Sequence, residues 1–182
     1  LVQNFSPEIE ALAKVNGLTK EETIEQMTRQ YDGYHFHPYA EGVYNPFSVL
    51  NAFYKKEFGN YWFQTGTPTF LVKSLQKADY DLRTLMDGVE APAVNFTEYR
   101  AEANNPIPLI YQSGYLTIKD YDKRFQIYTL GFPNDEVRYG FLNFLIPFYT
   151  PVTDDKRGFY IGQFIQELEN GEIDAFMQRF EA

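Results

Sequence analysis

Tyr115-Leu116-Thr117-Ile118-Lys119-Asp120-Tyr121-Asp122-Lys123-Arg124-Phe125-Gln126-Ile127-Tyr128-Thr129-Leu130 reads as a β-hairpin. Tyr115 to Ile118 alternate and are β-prone, Asp120 to Lys123 supply the turn, and Arg124 to Leu130 return as a second strand. Helical patterns flank it. Upstream, Thr67-Pro68 opens a helix with Phe70, Leu71, Ser74 and Leu75 on one face. Asp81 caps a short helix through Leu85 and Met86 that stops at Gly88, Val89 to Phe96 reads as extended, and Pro106 to Gly114 reads as a short helix ended by glycine. Downstream, Pro133-Asn134-Asp135-Glu136 caps an apolar helix lined by Val137, Phe141, Leu142, Phe144, Leu145 and Phe148. Helix, helix, hairpin, helix is the order of a winged-helix module, expected over residues 67–150.

A small helical bundle is expected before it, over residues 1–66. Ser6-Pro7-Glu8 starts a helix whose stripe is Ile9, Leu12 and Ala13, and Gly17 ends it. Thr19-Lys20-Glu21-Glu22 is a capping box, and Ile24, Met27 and Thr28 line the face that follows. Asp32-Gly33 marks a turn into a short strand or extended arm. Asn45-Pro46 caps a third helix, whose expected buried stripe is Phe47, Leu50, Phe53 and Tyr54. Residues 151–182 read as a helical connector, with Ile161, Phe164, Ile165 and Leu168 on one helix and Ile173, Phe176, Met177 and Phe180 on the next. The fold class is therefore mainly α (α+β): a helical bundle followed by a winged-helix-like module with one β-hairpin.

Composition narrows the function. The chain has 182 residues, is 44% hydrophobic and 23% charged, and carries 17 Phe and 15 Tyr, so a ring-rich globular core is expected. Its net charge of −9 repels phosphate backbones, so nucleic acid is not an expected partner. Cysteine is absent, which removes thiolate nucleophiles and disulfides. No apolar run approaches the ~20 residues that span a bilayer. With no secretory leader visible, the expected location is cytoplasmic, with no membrane partner. Leu1 at the start and helical spacing that runs on to Ala182 read as an internal piece of a larger protein.

The residues offer little catalytic chemistry. There is no phosphate loop, dinucleotide fingerprint, zinc helix or nucleophile elbow. Asp32, His35 and His37 could offer two imidazoles and a carboxylate to a divalent ion if the arm is extended, but a solvated turn is the simpler reading. The acid pairs Asp79/Asp81, Asp120/Asp122, Asp154/Asp155 and Glu167/Glu169 read as solvated surface. Lys119, Lys123, Arg124 and Arg138 could touch phosphates, but Asp120, Asp122, Asp135 and Glu136 nearly cancel them. The expected catalytic, cofactor and metal sites in this chain are none.

Three stretches taken together carry a family likeness. They are Tyr31-Asp32-Gly33-Tyr34-His35-Phe36 with Val43-Tyr44-Asn45-Pro46-Phe47-Ser48; Tyr61-Trp62-Phe63-Gln64-Thr65-Gly66-Thr67-Pro68; and Leu109 to Ile118 running into Tyr128-Thr129-Leu130-Gly131-Phe132-Pro133-Asn134. In these the chain resembles the bacterial predicted AAA-ATPase-like family, whose members commonly end in a PD-(D/E)XK nuclease-like domain. Where members often have a basic residue in the first motif, this chain has His35, which weakens a charge role there. The resemblance implies a helical lid after an ATPase core and a winged-helix-like connector to the nuclease-like domain. The phosphate loop and Walker B acid would lie upstream and the nuclease carboxylates downstream, so no catalytic residue carries over. ATP and magnesium are implied for the parent protein only; the implied partners are its own upstream ATPase domain and downstream nuclease-like domain. Tyr31, Asp32, Gly33, Tyr34, Phe36, Tyr44, Asn45, Pro46 and Phe47 are the candidate contact surface with the ATPase core. The alternatives are an aromatic-rich protein-interaction module and a winged-helix nucleic-acid binder.

Overall fold

The computed structural model describes residues 1–63, 69–78, 84–97, 105–149, 166–167 and 171–172. They fall into two compact units, Leu1–Arg138 and Tyr139–Ala182. The boundaries expected near residues 66 and 150 lie outside the described residues.

The first unit opens with three helices, α1 (Ser6–Asn16), α2 (Lys20–Tyr31) and α3 (Pro46–Lys55). Gly17 ends α1 at φ 68°, a left-handed turn that suits glycine. Thr19 and Glu22 form the reciprocal capping box of α2: the Glu22 N–H donates to Thr19 Oγ1 at 3.2 Å, and the Thr19 N–H donates to Glu22 Oε2 at 2.8 Å. Asn45 Oδ1 accepts the Phe47 and Ser48 N–H groups and starts α3 at Pro46. The three helices close on a core of Ile9, Leu12, Met27, Tyr31, Val49, Ala52, Phe53 and Tyr61. Two expected stripes are displaced. On α2 the buried residues are Thr23, Met27 and Tyr31, one turn apart, while Thr28 is exposed and bonds the Tyr44 hydroxyl. On α3, Ser48, Val49, Ala52 and Phe53 are buried, and Phe47, Leu50 and Tyr54 are exposed. Both faces of α3 are apolar, so periodicity alone could not choose between them.

The rest of the unit surrounds a three-stranded antiparallel sheet in the order β1-β3-β2, from β1 (Val89–Pro92), β2 (Thr117–Asp122) and β3 (Ile127–Gly131). The expected hairpin is β2–β3, but β2 runs on through Asp122 and the turn lies at residues 123–126 rather than 120–123, with a register shift between Ile118 and Asp120. Asp122 Oδ1 accepts the Arg124 and Phe125 N–H groups and shapes its turn. The third strand corrects the expectation of a lone hairpin: Val89–Pro92 pairs with Ile127–Leu130, and Pro92 is tolerated because β1 is an edge. This part of the chain also carries α4 (Thr69–Ala78), the single turns α5 (Thr84–Asp87), against β3, and α6 (Val94–Thr97), against β1, and α7 (Ile107–Gln112). Leu71, Leu75, Leu85, Ile107, Ile110, Leu116, Ile118 and Leu130 are buried. Rings meet edge to face, as Phe96 does with Tyr111 and Tyr128, so many of the aromatics serve packing.

Helix α8 (Asp135–Tyr149) begins in the first unit, where Asn134 Oδ1 accepts the Val137 N–H at 3.1 Å. In the second unit Phe141 and Leu145 are buried on α8, and Glu167 is buried rather than solvated as its place in an acid pair led us to expect. The helices expected from 161 to 168 and from 173 onward lie outside the described residues except for 166–167. Among the described residues no helix is long and apolar enough to cross a membrane.

Candidate functional site

Six of the nine candidate residues sit on an arm from Asp32 to Asn45 that leaves the end of α2 and enters α3; Tyr31 ends α2, and Pro46 and Phe47 begin α3. The arm closes on itself where Tyr34 and Val43 exchange both main-chain hydrogen bonds, at 3.2 and 2.9 Å. Its tip is a turn in which the Ala40 N–H donates to His37 O at 3.2 Å, with Pro38 at the second position. That turn breaks the strand alternation on which a shared His35–His37 face depended. His35 Nδ1 pairs with Ala40 O at 3.0 Å, His37 Nδ1 accepts the Tyr39 N–H at 3.2 Å, and Asp32 Oδ1 accepts the Gly33 N–H at 2.8 Å. Among the described residues no three His, Asp or Glu side chains are grouped to hold a metal ion.

Polar contacts from far along the chain pin the arm. Thr117 Oγ1 accepts the His35 N–H at 2.6 Å and donates to His35 O at 3.0 Å, so one side chain stands in for a strand partner. Asn134 Nδ2 donates to Asp32 O at 2.9 Å. Gly33, at φ 96°, packs against the Pro133 carbonyl so closely that a Cβ there would lie 2.3 Å from its oxygen. Tyr31 is fully buried, and its hydroxyl both donates to Gly59 O and accepts the Gly59 N–H, each at 3.0 Å. The Tyr34 hydroxyl is buried beside the Asn45 side chain. Burial raises the pKa of both phenols.

The quoted stretches meet in an open, mainly apolar cleft of about 440 Å³. The arm lines it with Tyr34 and Val43, the start of α3 with Pro46, the second stretch with Trp62, and the third with Tyr111 and Leu116. Trp62 is steadied by Tyr115, 5.1 Å away between ring centroids, and burial pushes the Tyr115 phenol up to about 12. Of the nine candidate residues, Tyr31 and Asn45 are interior supports, while Asp32, Gly33, Tyr34 and Tyr44 are half-buried. Pro46, Phe47 (44% exposed) and Phe36 (76%) face solvent. Leu50 and Tyr54 (86% exposed) extend that apolar surface along α3.

Sequence reasoning missed Glu136, which reads as a solvated acid balancing the basic residues near the hairpin. It is 0% exposed. Its Oε1 accepts the Trp62 N–H at 2.8 Å, and the Tyr61 N–H and the Ser48 side chain lie alongside its carboxylate. Burial raises its pKa, against the lowering effect of those donors. The carboxylate ties the start of α8 to α3 and to the Tyr61-Trp62 turn. An apolar site flanked by such a capped acid carries no hint in local sequence, because Asp135-Glu136 resembles any acidic first turn. The basic residues of the hairpin are partly used internally. Burial lowers the Lys119 pKa, and its Nζ donates to Pro133 O at 3.3 Å; Lys123 Nζ lies 5.9 Å from the centre of the Tyr39 ring.

The described residues thus define an α+β fold whose candidate site is an apolar surface rather than a set of reactive groups. No family model matches the chain, and no solved structure matches it significantly. It is similar to a curated protein of Azotobacter chroococcum mcd 1 described as "Uncharacterized protein in vnfD 5'region", with 32% identity over 149 residues. The match takes in 81% of this chain, and the chain spans about a quarter (26%) of that relative's length.

Proposed function

We propose that this chain is the non-catalytic lid and connector segment of a larger AAA-ATPase-like protein, joining an upstream P-loop ATPase core to a downstream nuclease-like domain. The observation that carries the reading is where the apolar surface lies. Among the described residues ten large hydrophobic side chains are exposed, and Phe36, Tyr39, Val43, Phe47, Leu50 and Tyr54 all fall on the arm and α3. A concentration of exposed apolar side chains on one arm and helix marks a contact surface, and a lid places that surface in its N-terminal half. The strand order β1-β3-β2, with short helices between β1 and the hairpin, supports a winged-helix-like connector. That the match covers only 26% of the similar protein's length supports a segment of something longer.

A lid without a phosphate loop has no nucleotide site of its own. Titrating this chain with ATP and magnesium in a calorimeter is expected to give no saturable heat, and clear saturable binding overturns the proposal. The same surface also supports a second reading, a module that docks an independent protein partner. Capture of such a partner by the isolated chain, lost when Phe36 and Phe47 become Ser, would favour it.

A further inference from the structure

Helix α3 is apolar on two faces. One face, with Val49, Ala52 and Phe53, covers the helical core; the other carries Phe47, Leu50 and Tyr54 at i, i+3 and i+7 and meets solvent. That spacing makes one continuous row, the form a helix presents to a second helix. At its N-terminal end the row joins the apolar cleft through Pro46. Its charge is unlike that of the chain as a whole. The chain carries −9, yet α3 has no acidic residue and its C-terminal end bears Lys55 and Lys56, both exposed, before a single acid at Glu57. Lys55 Nζ lies 4.6 Å from the centre of the Tyr61 ring, and neither lysine forms an ion pair among the described residues.

From this we infer that the exposed row of α3 is the seat of an acidic amphipathic helix supplied by the rest of the parent polypeptide. Its apolar residues pack on Phe47, Leu50 and Tyr54, and its carboxylates face Lys55 and Lys56. The inference rests on the lid-and-connector reading and names the chemistry of the contact. Two observations select this occupant. The similar protein has about three-quarters of its length outside the matched segment, which leaves ample chain to supply it. The two lysines beside an apolar row complement acids rather than more bases. A second copy is the poorer occupant: two chains of −9 repel, and α3 packed antiparallel on its twin sets each lysine pair against a positive helix N-terminus.

The absence of cysteine makes the test direct. Leu50→Cys places one thiol in this chain at the centre of the row, and iodoacetamide reads its accessibility by peptide mass spectrometry. The expected result is alkylation at least tenfold slower in the parent protein than in this chain alone. Adding Lys55→Glu and Lys56→Glu to the parent should restore at least half of the lost rate. Equal rates in parent and chain overturn the inference, and so does slow labelling that ignores the charge reversal. Slow, concentration-dependent labelling of this chain alone also overturns it, in favour of a second copy. Circular dichroism of Leu50→Cys confirms that the fold is kept. The lid reading stands or falls separately, on the ATP titration.

Discussion

Gly33→Ala should be among the most damaging single-methyl changes in this protein. The native φ of 96° lies where a side chain is strained, which costs about 1–2 kcal/mol. The added Cβ would also stand 2.3 Å from the Pro133 carbonyl oxygen, against the 3.0 Å below which real Cβ contacts are essentially never found, so arm and carbonyl must part by 0.7 Å. The carbonyl is main chain and a Cβ is fixed directly to the backbone, so neither can rotate away. The neighbouring bond from Asn134 Nδ2 to Asp32 O, 2.9 Å long, crosses the same gap, and losing it adds about 1 kcal/mol. The total is about 2–3 kcal/mol, a large part of the roughly 5–15 kcal/mol that holds a domain together. Gly17 supplies the control. It too has a positive φ, 68°, but a Cβ there meets nothing within 4 Å, so Gly17→Ala should show only the backbone strain. Urea unfolding followed by the fluorescence of Trp62, the sole tryptophan, would measure both variants. If Gly33→Ala destabilises no more than Gly17→Ala, the arm is not pinned on Pro133 and the account of the site fails.

Other consequences are open to the same methods. Thr117→Val removes both bonds to the His35 main chain and should cost about 1–2 kcal/mol, while Thr117→Ser keeps them and should cost less; equal losses would deny the hydroxyl its role. Glu136 has its folded pKa raised above the ordinary 4.5, so between those two values the native state binds more protons, and its contribution to stability falls as pH rises through that window. Glu136→Gln should remove that decline, seen as a flatter plot of melting temperature against pH above 4.5; an unchanged plot refutes the burial argument. Leu50→Asp and Tyr54→Asp should change the stability of the isolated chain by no more than about 0.5 kcal/mol, whereas Leu12→Ala in the core should cost about 2–5 kcal/mol.

Local chemistry made several elements legible. Thr19 and Glu22 sit three apart and can satisfy only each other's exposed N–H groups, so the start of α2 was written in four residues. Asn45-Pro46 and Gly17 mark helix ends for similarly short-range reasons. The β2–β3 hairpin followed from alternation on both sides of a polar stretch, although its turn fell at residues 123–126, after the Asp residues that the sequence pointed to. What failed was the choice of face. Phe47, Leu50 and Tyr54 follow helical spacing as well as any core stripe does, and only the position of α1 and α2 against Val49 and Phe53 decided which side faced inward.

The site shows the same division. The sequence alone determined that no phosphate loop or thiolate could be present, whereas the turn it pointed to at Asp32-Gly33 falls instead at residues 37–40. Only tertiary structure decided that Thr117, eighty-two residues away, would hold His35, or that Glu136 would be buried against Trp62 across seventy-four. It also decided that β1 would complete a sheet with β3. The physical reason is range. Caps, turns and periodicity act over a few residues and are fixed by neighbours in the chain. Burial and long-range hydrogen bonds depend on which surfaces meet, and that is settled only when the whole unit packs.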